Sequence, residues 1–247
     1  MDKYGLIGYP LKHSFSQSYF NEKFNSEHIN AEYVNFEIAK ISEVKQIIKH
    51  NPNLKGLNVT IPYKEKIIPY LDDMSANAKE IGAVNVIKFV RNKGKLKLIG
   101  HNSDIVGFKK SIEPLLKEHH KKALILGTGG SAKAIYHGLR QLGLEAVFAS
   151  RDKLKGVLFY KELDERIINE CSVVVNCTPA GMFPNVDECP PIPYEYLTPQ
   201  HLVYDLLYNP DETLFLRHGK SKGAIVKNGL EMLLLQAFEA WEIWANP

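Results

Sequence analysis

Cysteine is scarce: three in 247 residues, at positions 171, 177 and 189, with no CxxC spacing among them. An odd set so arranged argues against a disulfide framework or a thiolate zinc site and leaves reduced, mostly buried thiols; the first two flank the apolar run "SVVV". Long apolar runs are missing as well, none approaching the ~18 to 20 residues of a membrane span. The start, "MDKYGLIGYP", has neither the charged nor the apolar region of a secretory signal, so a soluble cytoplasmic protein is expected. Charge of one sign is not in excess. Lys plus Arg number 31 against 28 Asp plus Glu, a balance of +3 with no basic run. That gives no support to a nucleic-acid or membrane partner and points to small-molecule ligands. Internal repeats and low-complexity tracts are absent, and composition leaves a monomer and a homodimer equally open.

What is present is an alternation of strand-like and helix-like segments. "KYGLIGY", "AEYVNFEIA" and "LKGLNVTI" interleave with helical stretches at 16 to 25 and 42 to 50, a βαβ rhythm. "AVNVIKFVRNKGKLKLIGHN" predicts a hairpin turning at Asn92 to Gly94, and a helix should run from Ser103 and Asp104 to about Glu118. A second series comes next: strand 122–126, helix 130–142, strands 145–149, 173–176 and 202–205, helix 213–221 and strand 224–227. It reads as an open parallel sheet. Residues 1 to 102 and 103 to 228 are therefore expected as two domains. The final helix, 229 to 247, is apolar on so many sides that it should pack on several neighbours, including back on the first domain.

The clearest motif lies at the start of the second domain. "KALILGTGGSAKAIYHGLRQLG" is a strand, then Gly127-x-Gly129-x-x-Ala132, then a helix stopped by Gly143. In that setting the first glycine permits a tight turn, the second lets backbone approach a pyrophosphate, and Ala132 keeps helix and strand close. The fold class is thus α/β: an N-terminal α/β substrate domain plus a Rossmann-like, doubly wound parallel-sheet dinucleotide domain. The next strand ends "VFASRDK", where an acid favours NAD and an arginine the 2′-phosphate of NADP. Arg151, with Lys155 as a second cation, favours NADP over NAD, and Asp152 pulls the other way.

Chemistry in such a protein gathers at the carboxyl ends of strands. In "NVTIPYKEK" a strand meets Pro62, which can open a helix, and Lys64 would then sit in the helix's first turn. A cation there is disfavoured by the macrodipole, by ~0.3 to 1 kcal/mol, so helix stability does not account for it. A solvated lysine beside Glu65 and Lys66 remains the simple alternative. Ser14 and Ser16 could offer hydroxyls to a carboxylate or merely cap a helix. Asp104 could be ordinary first-turn stabilisation.

Read together, "GYPLKHSFS" at 8–16, "NVTIPYK" at 58–64, "GAVN" at 82–85 with "GHNSDIVGF" at 100–108, "GTGGSAKA" at 127–134 and "NGLEMLLLQ" at 228–236 resemble the shikimate dehydrogenase family. "NCTPAGM" at 176–182 and "DLLYNP" at 205–210 match it too. The resemblance implies reduction of 3-dehydroshikimate to shikimate with NADPH, and no metal. By it, Ser14 and Ser16, helped by Tyr208, would hold the substrate carboxylate. Thr60, Lys64, Asn85, Asp104 and Gln236 would take the ring hydroxyls and reacting oxygen, with Lys64 and Asp104 as the catalytic pair. Gly127, Thr128, Gly129, Gly130 and Ser131 would cradle the pyrophosphate. Ser150, Arg151 and Lys155 would surround the adenosine phosphate, and Thr178, Leu206 and Gly229 would lie toward the nicotinamide.

The chain departs from the family at several places. Gln17 replaces a proline, a histidine is missing from "SYFNEKF", and Val86 and Ser103 stand where threonines are common. Ser150 and Asp152 replace an asparagine and a threonine, and the crossover helix after Arg151 looks deleted, "DKLKG" leading straight to the apolar "VLFY". Rival readings are an NAD-preferring quinate or shikimate dehydrogenase using Asp152, a non-catalytic module sensing shikimate and dinucleotide, and another two-domain dehydrogenase such as one acting on folates. The last leaves the paired serines and Gln236 unexplained.

Overall fold

The computed structural model describes residues 1 to 11 and 15 to 246. Ser14, one of the two expected carboxylate serines, lies outside the described residues. The chain divides into two compact units, Met1–Ser103 with Ala237–Pro247, and Asp104–Gln236.

The first unit is built from β1 (Asp2–Gly8), α1 (Phe15–Ser26), β2 (Ala31–Glu37), α2 (Val44–His50), β3 (Leu54–Val59), β4 (Asp73–Met74), α3 (Ala76–Ile81), β5 (Val86–Asn92) and β6 (Lys95–His101). Its sheet runs β2-β1-β3-β5-β6-β4. β1 is parallel to β2 and β3, while the hairpin β5–β6 adds antiparallel to β3. Alternate β1 residues serve opposite faces, Tyr4 and Leu6 in one core and Ile7 in the other. Burial on both sides is why that strand reads as a continuous apolar run.

The second unit contains α4 (Asp104–Ile112), β7 (Lys122–Leu126), α5 (Gly130–Gln141), β8 (Glu145–Ser150), β9 (Leu158–Phe159), α6 (Glu165–Glu170), β10 (Val173–Asn176), β11 (Leu202–Asp205), α7 (Leu214–Ser221), β12 (Ile225–Lys227) and α8 (Leu230–Ala245). The sheet order is β12-β11-β10-β7-β8-β9, parallel throughout. This is the doubly wound order, with its switch point between β7 and β10, where α/β sheets bind ligands. α8 is divided between the units at Gln236 and Ala237. Accordingly Met232 joins a core of the second unit, and Ala237, Ala240 and Trp244 join one of the first. No helix among the described residues is long and apolar enough to cross a membrane.

Several expectations are corrected. No α-helix follows Pro62; Lys64 lies in a run of turns leading to the 3-10 helix Ile68–Tyr70. The reason is local. Helix would need the Lys64 carbonyl to accept from Ile68, but it accepts from Val84 N–H at 2.7 Å, and Ile68 N–H turns to Glu65. Pro69, moreover, has no N–H for the Glu65 carbonyl. The helix expected to reach Glu118 ends at Ile112, followed by a 3-10 turn over Glu113–Leu115. Pro114 is again responsible, because it cannot donate back to Lys110. The crossover helix expected to be deleted after Arg151 is indeed missing: between Arg151 and Phe159 the chain has no helix and reaches the short edge strand β9. β4, β9 and α6 had no sequence signal strong enough to name them. Only Cys171 is buried, and Cys177 and Cys189 are partly exposed; all three are free thiols.

Candidate functional site

In the first unit three expected residues are drawn together by backbone bonds. Val59 N–H donates to the Asn85 carbonyl at 2.9 Å, and Val84 N–H donates to the Lys64 carbonyl at 2.7 Å. The "NVTIPYK" and "GAVN" segments are thereby laced side by side. Thr60 follows β3 directly and donates its N–H to Ile7 at the end of β1, at 2.9 Å. A Cβ on Gly8 would collide with the Thr60 methyl, so only glycine lets that strand end approach. Lys64, Thr60 and Asn85 therefore share the carboxyl edge of β1 and β3.

The Asn85 side chain, 3% exposed, is fixed by Ser103. Its Oδ1 accepts from Ser103 N–H at 2.7 Å and its Nδ2 donates to Ser103 Oγ at 3.0 Å. In the second unit Asp104 opens α4 and is buried. Ser16 lies inside α1, one residue past its start, so it is not the helix cap.

In the second unit Asp104 and Gly107 fall on the same side of α4, three residues apart. A Cβ at Gly107 would stand 2.7 Å from the Met232 carbonyl and 3.0 Å from Gln236 Cβ. Gly107 thus lets α8 close on the α4 face that carries Asp104, and Gln236 sits on the closing turn. Tyr208, in the loop after β11, is partly exposed, and burial of its ring raises the phenol above its ordinary value.

The glycine turn is built to receive an anion. Gly127 has φ 105°, which only glycine adopts readily, and its N–H donates to Ala149 at 2.8 Å. Gly129 caps α5 with no side-chain hydrogen bond, no acid lies in the first turn, and a Cβ there would meet nothing within 4 Å. By contrast α3, α6 and α7 are capped by Ser75, Asp164 and Thr213. With no side chain serving as its cap and open space beside Gly129, the first turn of α5, with Thr128, Gly130 and Ser131 around it, fits a pyrophosphate. At the end of β8, Ser150 is buried and its Oγ accepts from Asp152 N–H at 3.1 Å. Arg151 and Asp152 are 86% and 70% exposed with Nε to Oδ2 at 3.8 Å, and Lys155 is exposed nearby in sequence.

One cluster was not singled out by sequence reasoning. Asp205, at the end of β11, is fully buried and accepts from Asn176 Nδ2 at 3.0 Å, Leu207 N–H at 3.0 Å and Thr213 Oγ1 at 2.6 Å. Asn176, at the end of β10, in turn accepts from Thr178 N–H at 2.9 Å and Thr178 Oγ1 at 2.7 Å. Three segments near the switch point are so gathered, two of them holding the expected residues Thr178 and Leu206. The available signal was a polar residue closing each of two adjacent apolar runs. Gly229 completes the arrangement, because a Cβ there would run into the Leu206 carbonyl. Gly229→Ala should lower stability by roughly 1 to 3 kcal/mol, as overpacking against backbone does. Urea unfolding would measure it, and an unchanged midpoint would show that the contact relaxes freely.

Comparison with known proteins agrees with this geometry. The family profile of the shikimate dehydrogenase substrate binding domain matches residues 6–87. The shikimate dehydrogenase (NADP(+)) of Carboxydothermus hydrogenoformans is 41% identical over 98% of this chain and 91% of its own length. The crystal structure of shikimate dehydrogenase from Aquifex aeolicus superposes with a TM-score of 0.87 at 36% identity, covering 100% of this chain and 93% of that one. The shikimate 5-dehydrogenase of Thermus thermophilus, solved in complex with NADP(H) and shikimate, gives a TM-score of 0.86 at 27% identity, with 100% and 94% covered. With relatives this similar over nearly its whole length, an anion-ready glycine turn on a doubly wound sheet, and Lys64, Thr60 and Asn85 laced at one sheet edge, the chain belongs to the shikimate dehydrogenase family.

Proposed function

We propose that this protein interconverts 3-dehydroshikimate and shikimate with NADP(H), running toward shikimate as a cytoplasmic step of aromatic amino-acid biosynthesis. Bound NADPH supplies the hydride that reaches the ketone carbon. Lys64, as the ammonium, gives a proton to the oxygen while negative charge grows there, and as the amine takes it back in the reverse direction. Asp104 is its partner carboxylate, orienting the ammonium and balancing its charge. Ser14, Ser16 and Tyr208 hold the substrate carboxylate, while Thr60, Asn85 and Gln236 take ring hydroxyls. The uncapped start of α5 receives the pyrophosphate, Ser150, Arg151 and Lys155 the adenosine phosphate, and Thr178, Leu206 and Gly229 the nicotinamide end.

The observation that carries this reading is the pinning of Lys64 by its own carbonyl to Val84. A lysine needed only for solubility requires no such fixed backbone. A second reading, preference for NAD, draws on the approach of Asp152 to Arg151, which offers a carboxylate where a ribose would lie. Initial rates of shikimate oxidation with NADP and then NAD separate the two. Faster turnover with NADP at equal concentration is expected; the reverse order would transfer the adenosine end to Asp152, and no reaction with either would remove the catalytic reading.

A further inference from the structure

A threonine beside a cofactor can offer its hydroxyl or its methyl, and the hydrogen bonds around Thr178 decide which. Asn176, at the end of β10, is fully buried, and its Oδ1 accepts from Thr178 N–H at 2.9 Å. A peptide N–H can only donate, so the amide cannot be reversed and its oxygen stays on that side. The Thr178 hydroxyl meets the same oxygen at 2.7 Å and must therefore donate to it. The threonine oxygen in turn accepts from Ala180 N–H at 3.3 Å. The hydroxyl is thus engaged within the loop both as donor and as acceptor.

The far side of Asn176 is held as firmly. Its Nδ2 donates to Asp205 Oδ1 at 3.0 Å, and its carbonyl accepts from Leu206 N–H at 3.0 Å. Asp205 is itself fixed by Leu207 N–H and by the Thr213 hydroxyl. A turn after a strand needs only the asparagine oxygen on the peptide N–H two residues on. The second bond, to the hydroxyl, does nothing for the direction of the chain; it sets the rotamer of Thr178. With Oγ1 so placed, the methyl is turned to the glycine turn, where a Cβ on Gly127 would stand 3.1 Å from Thr178 Cγ2.

We propose that Asn176 is a positioning residue of the dinucleotide site: by taking the Thr178 hydroxyl proton it makes Thr178 meet the cofactor with its methyl, beside Gly127, and not with an O–H. The inference rests on the reading of Thr178 as a residue of the nicotinamide end. An untied threonine can turn about χ1 and exchange its methyl for its hydroxyl; one tied to Asn176 keeps a single well.

The test is calorimetric titration of the full chain with NADP and with adenosine 2′,5′-bisphosphate, which lacks the nicotinamide half. Thr178→Ser keeps the hydroxyl and drops the methyl, and should raise the Kd for NADP about three- to fivefold, the worth of one buried methyl group. Thr178→Val keeps a methyl in place and drops the hydroxyl, and should raise it less. Asn176→Ala should raise it about threefold, because the threonine then spreads over its staggered wells. In a Thr178→Val background there is no hydroxyl to hold, so the same substitution should cost less. The Kd for the bisphosphate should stay constant throughout, which a general loosening of the fold would not allow.

A larger loss in Thr178→Val than in Thr178→Ser would make the hydroxyl the ligand, overturning the proposal while leaving Thr178 in the site. Equal weakening of both ligands by Asn176→Ala, or an equal cost of that substitution in the two backgrounds, would overturn it too. A wild-type Kd for NADP in both Thr178 variants would take Thr178 out of the site, and the proposal with it. The two Thr178 variants decide the matter even where Asn176→Ala does not fold.

Discussion

Lys64→Ala should lower kcat for shikimate oxidation by roughly two to four orders of magnitude, the usual contribution of a positioned acid or base. KM for shikimate should change much less, by about threefold or under, because the proton transfer is realised in the transition state and several other groups bind the ground state. The geometry supports so large an effect. Lys64 follows a strand whose end is tied to β1, and its own carbonyl is bonded to the peptide that precedes Asn85. Its main chain is therefore placed by two separate segments before any substrate arrives. Steady-state rates over a range of shikimate concentrations would suffice, and turnover within a few-fold of wild type would rule Lys64 out as the proton carrier. A large rise in KM at unchanged kcat would instead make it a binding group.

The second large effect is expected at Asp205. Asp205→Ala leaves an amide, a peptide N–H and a hydroxyl in the interior without their acceptor, which should cost ~2 to 4 kcal/mol. For a chain of this size each kcal/mol lowers Tm by roughly 2 to 4 °C, so a fall of about 5 to 15 °C is expected in calorimetry. A shift under about 2 °C, the least that a single kcal/mol would produce, would show that water replaces the carboxylate. The ionisation of this group has its own signature. Burial raises its carboxyl from 3.8 to about 6, against the lowering effect of its three donors, Thr213 first. The folded protein thus holds the proton more tightly than the unfolded chain does. Its contribution to stability is fully present below about pH 4 and is lost as pH rises through about 6. Two pH units of this kind correspond to ~3 kcal/mol. Asp205→Asn cannot titrate, so the stability gap between it and wild type should shift by about that amount between pH 4 and 7. Parallel stability curves would mean that Asp205 keeps an ordinary carboxyl pKa.

The glycine turn was legible because its meaning is local. Gly127 and Gly129 lie between an apolar strand and a helix in a stretch of about twenty residues, and the turn that joins those elements needs a left-handed residue at Gly127. The hairpin at Asn92 to Gly94 was legible for the same reason, with Gly94 at φ 77°. Pro62 misled because its effect depends on residues beyond it. A proline can begin a helix, but this one precedes Pro69 and a carbonyl that Val84 claims from twenty residues away. β9 and β4, two residues each, and the six-residue α6 are too short to show a period.

The order of strand and helix and the glycine turn between β7 and α5 follow from spacing along the chain, since periodicity and turn chemistry act between near neighbours. The partners of buried polar groups do not. That Tyr33 meets Asn58, that Asn58 bonds the Asn85 carbonyl, and that Asp205 gathers Asn176 and Thr213 depend on which strands lie side by side. Residues 25, 27 and 29 positions apart become neighbours only when the sheets assemble, and excluding water is what obliges each to find the other.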